Sequence, residues 1–328
     1  MVWLKLVICI LVIFFSGQKV AKYGDIIAEK TGIGQVWMGV IAIALITSLP
    51  EFFTGISAVT LVKAPDLTVG DLFGANAFNL FNLALLDIFH RNGSIMATAS
   101  QAHRLTAWLS LVLMVIVALS IFVSGHFFAM PLGWIGWYTP IIVLFYIFSV
   151  RQIFYYDKKH PPAQAGAIYQ KDKSLKRVFI YFCISAVFII GAGIWLATVG
   201  NEIALATGWG QSFVGRLFLA FTTTLPEITV SFTALRIGAI DMAVANMIGS
   251  NLFNLTIIPV TDLLYTRGPV LANVSESHLV TAAAVILMTL VFIAGLRFKP
   301  RRFFRLSWFT IGLIVLFLVS TYLSFILA

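Results

Sequence analysis

Two acidic residues pose the chemical question in this chain. Glu51 closes the run Thr47-Ser48-Leu49-Pro50-Glu51, and Glu227 closes Thr223-Thr224-Leu225-Pro226-Glu227, each inside a long apolar stretch. A carboxylate at the centre of a membrane helix costs about 3 kcal/mol on insertion scales, so such residues pair, meet water or bind an ion. The proline ahead of each carboxylate has no N–H and kinks a helix. Broken backbone is tolerated at membrane depth where it lines a cavity, and its freed carbonyls can ligate a cation. Helical spacing puts Thr47 and Ser48 on the face of Glu51, and Thr223 and Thr224 on the face of Glu227. Further on, amides stand at Asn79, four residues after Ala75, and at Asn254, four after Ser250. The set is all oxygen, without imidazole or thiolate, and suits a hard cation. Calcium accepts about six to eight oxygens in adaptable geometry, whereas magnesium gives up its water reluctantly. Two carboxylates balance one divalent ion, and the same oxygens can hold sodium, so exchange by competition is physically natural.

The elements that must position these groups are membrane helices. The chain has 328 residues, 60% hydrophobic and 11% charged, against about 25% charged in a soluble domain. Apolar runs at about 2–18, 34–62, 68–89, 105–124, 131–150, 178–199, 211–236, 242–264, 279–296 and 306–327 are each near the roughly 20 residues that cross a bilayer. The expected fold is all-α and integral to the membrane, with about ten spans. Residues 1–150 form one five-helix unit, 151–177 a polar tether containing Pro161-Pro162, and 178–328 a second five-helix unit. The first run could pass for a signal peptide, but Ser16-Gly17-Gln18 is a poor cleavage site and the run has a counterpart at 178–199.

That counterpart belongs to a repeat. At an offset of 176, Gly17, Gly24, Thr31, Gly39, Thr47, Pro50 and Glu51 recur as Gly193, Gly200, Thr207, Gly215, Thr223, Pro226 and Glu227. After a one-residue slip, Gly74-Ala75-Asn76-Ala77-Phe78-Asn79 recurs as Gly249-Ser250-Asn251-Leu252-Phe253-Asn254. His103 then pairs with His278, and 136–139 with 307–310. Five spans per unit is odd, so the second copy enters from the opposite side, as in the inverted repeats of secondary transporters. About 18 of the 22 Lys and Arg fall in one set of loops, which the positive-inside rule makes cytoplasmic. Both termini are then outside a cell membrane and the tether is inside.

The two motifs, each followed about 22 residues later by G-[SA]-N-x-F-N, resemble the α-repeats of the sodium/calcium exchanger superfamily of cation/Ca²⁺ antiporters. The resemblance implies sodium/calcium exchange by alternating access, with Ca²⁺ and Na⁺ as transported ions and no cofactor. It makes Glu51 and Glu227 the central ligands, supported by Thr47, Ser48, Asn79, Thr223, Thr224, Ser250 and Asn254. The carbonyls of Ala44 and Ala220 would contribute where the helices unwind. Ala75 stands where Ser is common, and Asn254 where several members have Asp, which argues against the potassium-dependent branch. Asp71 stands where Asn is usual; its repeat partner is Asn246. It reads either as a negative group on an access path or as a solvated helix start.

Plainer roles compete at several positions. The hydroxyls can bond back to the preceding turn, and the amides can simply join helices. Asp87 and Asp262 suit interfacial or capping roles, Gln35 and Gln211 suit helix starts, and His103 and His278 suit an interface rather than a proton relay. Cys9 and Cys183 have no metal or disulfide spacing. Proton/calcium exchange is the leading alternative, although Asn79 and Asn254 replace the Glu-His pair of proton-coupled relatives. A channel builds its pore around an oligomeric axis, whereas the pseudo-symmetry here is internal, and no HExxH or GxSxG motif suggests an enzyme. The net charge of +9 lies in short loops, a topology signal and not a nucleic-acid surface. The partners expected are cations and the lipid bilayer, with no obligate protein.

Overall fold

A computed structural model describes residues 2–32, 34–91, 93–127, 133–159, 174–206, 213–298 and 306–326. Twelve helices carry the architecture. They are α1 (Val2–Thr31), α2 (Gln35–Thr47), α3 (Leu49–Val62), α4 (Pro65–Phe89), α5 (Ala102–His126), α6 (Tyr138–Lys159), α7 (Leu175–Ala206), α8 (Phe213–Thr223), α9 (Leu225–Arg236), α10 (Ile240–Leu264), α11 (His278–Phe298) and α12 (Trp308–Ile326). Eight are long and apolar enough to cross a membrane alone. The other four form two bent spans, α2 with α3 at 40° and α8 with α9 at 46°. The protein is an all-α, multi-pass membrane protein.

Each bend sits where the proline chemistry puts it. Ser48 (φ −89°, ψ 8°) separates α2 from α3, and Thr224 (φ −79°, ψ −1°) separates α8 from α9. Pro50 and Pro226 then occupy the first turn of the next helix, where a missing N–H costs nothing. The i→i+4 partners they deny are the carbonyls of Ile46 and Thr222. Among the described residues, the first bent span also contains π-helical turns, at Met38–Ile43 and Ala58–Val62, and the second does not; such turns loosen the ladder and recur near functional sites.

The packing crosses between the halves. α4 of the first half lies against α8, α11 and α12 of the second, α10 of the second lies against α2, α5 and α6 of the first, and α4 and α10 touch each other. Glycine permits the closest of these contacts. A Cβ on Gly249 would stand 2.5 Å from Val40 Cα, and one on Gly39 would stand 2.5 Å from Ala245 Cβ. α2 and α10 therefore meet backbone to backbone.

Polar clasps at helix ends repeat the crossing. Asp87, at the end of α4, accepts from Ser94 Oγ (2.8 Å), Ile95 N (2.7 Å) and, across the halves, Thr310 Oγ1 (2.5 Å). Asp262, at the end of α10, accepts from Gly136 N (2.7 Å), Tyr138 OH (2.8 Å), Thr139 Oγ1 (2.5 Å) and Val270 N (2.7 Å). Capping is the role observed for both. His103 meets Asp241 at 2.9 Å and His278 meets Asp66 at 3.1 Å, each pair joining helix starts from different halves. Neither histidine stands among the motif carboxylates.

Helix lengths depart from the hydropathy reading. α1 and α7 run to Thr31 and from Leu175 to Ala206, well beyond 2–18 and 178–199. They pack along each other and over the bends, where Gly193 lets α7 lie against the Pro50 ring. The added turns carry exposed polar residues, among them Glu29, Lys30, Lys176 and Arg177, so they lie beyond the apolar stretch that hydropathy marks. The fifth span starts at Tyr138, not 131, because Asp262 holds the Gly136 amide and the chain turns through Gly133 (φ 73°). α6 extends to Lys159 and α7 begins at Leu175, so helices occupy both margins of the expected tether. Residues 160–173 of the tether, and Gln211, lie outside the described residues. Gln35 donates to Asp25 at 2.6 Å and ties the start of α2 to α1.

Candidate cation site

The two bends bring the motifs to the middle of the bundle. Glu51 and Glu227 are each 0% exposed, as are Thr47, Ser48, Thr223, Thr224, Ser250, Asn79 and Asn254. Glu51 lies within Coulombic reach of both Glu227 and Asp71. The carboxylates therefore share one interior region and are not two separate buried groups.

Several contacts within this region run between halves. Ser48 Oγ donates to Glu227 Oε1 at 2.9 Å, not to Glu51, its neighbour by helical spacing. The physical reason is the break at Ser48: spacing of three residues puts two side chains on one face only if the helix is continuous. Ser250 Oγ approaches the same Glu227 oxygen at 3.5 Å. Thr47 Oγ1 donates toward Asn246 Oδ1 at 3.2 Å, and Thr223 Oγ1 toward Asp71 Oδ1 at 3.4 Å. Thr224 Oγ1 turns back to the carbonyls of Ala220 and Phe221, both at 3.0 Å.

Four amides make a frame that sequence spacing did not reveal. Asn76 Nδ2 donates to Asn251 O (3.3 Å) and Asn251 Nδ2 to Asn76 O (3.2 Å). Asn79 Nδ2 donates to Asn251 Oδ1 (3.1 Å) and Asn254 Nδ2 to Asn76 Oδ1 (3.0 Å). Each of the four amide nitrogens thus makes one bond that joins α4 to α10. The oxygens Asn79 Oδ1 and Asn254 Oδ1 remain buried without a partner. Joining helices and offering ligands are here one arrangement: one donor of each amide holds the frame, and two acceptor oxygens are left for a cation. The signal available in sequence was the first Asn of each G-[SA]-N-x-F-N run, in register with the second.

The remaining unpaired oxygens have the same character. Glu51 Oε1 and Oε2, Glu227 Oε2 and Asp71 Oδ2 are buried and lack hydrogen-bond partners. A buried acceptor left unmade costs about 1–3 kcal/mol, and more when charged. Six such oxygens from four helices form a strongly electronegative interior. Among the described residues no three His, Cys, Asp or Glu side chains come close enough to hold a metal ion by themselves, so neutral oxygens must complete any coordination shell.

Two sequence expectations need revision. Asp71 is not a solvated helix start: it is 2% exposed and takes the Thr223 hydroxyl. The carbonyls of Ala44 and Ala220 are engaged in this conformation. Ala44 O accepts from Ser48 N (3.0 Å) and Thr47 Oγ1 (3.3 Å). Ala220 O accepts from Thr224 N (3.2 Å), Thr223 Oγ1 (3.1 Å) and Thr224 Oγ1 (3.0 Å). The helices bend after these residues without unwinding at them. Asn246 also joins the site: its Nδ2 donates to Ser231 Oγ (2.9 Å) and Glu227 O (3.3 Å). A pocket of about 80 Å³ between α4, α8, α11 and α12 runs from Ser277 and His278 to Gly74 and Ala220, at the edge of this region.

Comparison with known proteins agrees with this fold. The family described as sodium/calcium exchanger protein matches residues 1–154 and 177–326. The inner membrane protein YrbG of Escherichia coli (strain K12) is 24% identical over 266 residues, covering 81% of this chain and 80% of the relative. The putative antiporter CaxA of Alkalimonas amylolytica is 22% identical over 291 residues, covering 86% and 87%. A solved structure of the sodium-calcium exchanger NCX_Mj, soaked with 10 mM Na⁺ and zero Ca²⁺, superposes with a TM-score of 0.73 at 19% identity over 98% of each chain.

Proposed function

The chain belongs to the sodium/calcium exchanger protein family, and on that premise we propose that it exchanges sodium for calcium by alternating access. It is a transporter of an antiporter family, not an enzyme. The observation that carries the reading is the set of six unpaired buried oxygens on Glu51, Glu227, Asp71, Asn79 and Asn254. Such a set gains little from water-free burial and much from a hard cation. Glu51 and Glu227 supply the charge that balances one divalent ion. Ser48, Ser250, Thr47, Thr223 and Thr224 shape the site through the hydrogen bonds described above, and the Ile46 and Thr222 carbonyls released by the prolines are further ligands. Sodium ions satisfy the same oxygens at lower charge each, so the two ions compete and their fluxes couple.

The two five-helix halves serve as inverted repeats around this site, residues 1–150 and 178–328. The loops rich in Lys and Arg face the cytoplasm, both termini face outward, and the pocket ending at Ala220 is the outer approach. Proton/calcium exchange is the reading to exclude. Calcium-45 uptake into proteoliposomes tests it. We expect uptake driven by an outward sodium gradient and little uptake driven by a pH gradient alone. The reverse result would replace sodium with protons as the coupling ion.

A further inference from the structure

Away from the bends, α5, α6 and α11 line an open recess of about 530 Å³ at the membrane face that carries the basic loops. Arg104, in the first turn of α5, and Arg297, in the last turn of α11, line it together. Among the described residues neither guanidinium has a carboxylate within ion-pair distance. Gln101 Nε2 donates to Leu296 O at 3.1 Å, which fixes the two helix ends beside each other and holds the arginines at the same recess. The other walls are amphipathic. Trp108 stands one turn beyond Arg104 and is 45% exposed; Leu105, Tyr156 and Ile293 complete the lining.

We propose that this recess binds the headgroup phosphate of an anionic phospholipid, with Arg104 and Arg297 as its ligands. An isolated arginine in a last helical turn serves topology and the helix dipole. Two from different helices, converging without an acidic partner, make a site for an anion. Guanidinium groups match phosphate oxygens in bidentate geometry. Basic pockets between membrane helices on the cytoplasmic side take acidic lipid headgroups, and tryptophan and tyrosine mark the level of the headgroups. The apolar flank of Leu105, Trp108 and Ile293 selects a lipid over free phosphate, because it offers the glycerol and first acyl carbons a surface that a bare anion does not use. Arg104 also adjoins His103, which clasps Asp241 at the start of α10, so a bound lipid would brace the turn that anchors a site helix.

Native mass spectrometry of the detergent-purified full chain tests this. Phosphatidylglycerol and phosphatidylcholine are added in parallel, and inorganic phosphate serves as a competitor. Phosphatidylglycerol should be retained over phosphatidylcholine by about fivefold or more. Arg104→Gln with Arg297→Gln should remove that preference, and each single variant should lower it, with gel-filtration behaviour unchanged. If the double variant does not fold, the single variants decide. Unchanged retention in both singles, equal retention of phosphatidylcholine, or complete displacement by millimolar inorganic phosphate would each overturn the proposal.

Discussion

The two bends carry nearly the same sequence, yet their carboxylates live in different surroundings. Glu227 Oε1 receives Ser48 at 2.9 Å and Ser250 at 3.5 Å. Glu51 receives no hydrogen bond at either oxygen. The cause lies in two substitutions between repeats. The counterpart of Ser250 is Ala75, which has no hydroxyl. The counterpart of Ser48 is Thr224, whose hydroxyl is spent on the carbonyls of its own preceding turn. A third difference adds charge: Asn246 is satisfied by Thr47 and Ser231, whereas Asp71 keeps one oxygen unpaired. One side of the site is thus prearranged by hydroxyls, and the other is left to be satisfied by what it binds. Sequence symmetry of a repeat sets where ligands stand, and small departures from it set which ligand needs the ion more.

The largest expected effect comes from removing either charge. Glu51→Gln and Glu227→Gln keep size and one carbonyl oxygen, and neutralising a buried carboxylate relieves a penalty, so both proteins should fold. A divalent ion in a low-dielectric site needs both charges, and calcium-45 flux should fall by about 100-fold or more in each. Loss in only one variant would break the claim that the two carboxylates act as one site despite their unequal surroundings.

Asp71→Asn makes the first half resemble the second at this position. It should leave transport intact and raise the calcium concentration for half-maximal uptake by about tenfold, the effect of one nearby charge. A dependence identical to wild type would remove Asp71 from the account. Ala75→Ser should act in the opposite sense, by supplying Glu51 with the hydroxyl that Ser250 gives Glu227. The change should be tolerated and should shift sodium dependence more than calcium dependence, by about threefold, the worth of one hydrogen bond of about 0.7 kcal/mol. Unaltered curves for both ions would mean that position 75 does not face the site. Orientation yields a control on which side is which: in a background without Cys9 and Cys183, Asp172→Cys should resist impermeant labelling of intact cells, and ready labelling would invert the topology.

Much of the site was legible because burial cost speaks through the sequence. Acidic residues inside apolar runs are expensive, and their recurrence behind a proline at matched spacing left few readings open. The helices were legible for the same reason, since their number follows from hydropathy. Cross-half geometry was not. Ser48 reaches Glu227, not Glu51, because local periodicity assumes an unbroken helix, while the partner across the bundle is set by where Gly39 and Gly249 let α2 and α10 meet. The amide frame of Asn76 and Asn251 was hidden because each residue looks like one more polar side chain until the two helices are paired. Asp71 was ambiguous because a helix start in sequence does not reveal what packs on it. The full lengths of α1 and α7 were missed because their end turns are polar and exposed, as at Glu29, Lys30, Lys176 and Arg177, which hydropathy reads as an end of the span.

The central claim is that Glu51 and Glu227, unequal in their hydrogen bonds, hold one calcium ion together. Equilibrium binding of calcium-45 to the purified protein, with sodium as competitor, tests it without any assumption about gradients or orientation. The account predicts saturable binding that sodium displaces and that is lost in both Glu51→Gln and Glu227→Gln. Calcium binding of wild-type affinity in correctly folded Glu51→Gln protein would contradict it.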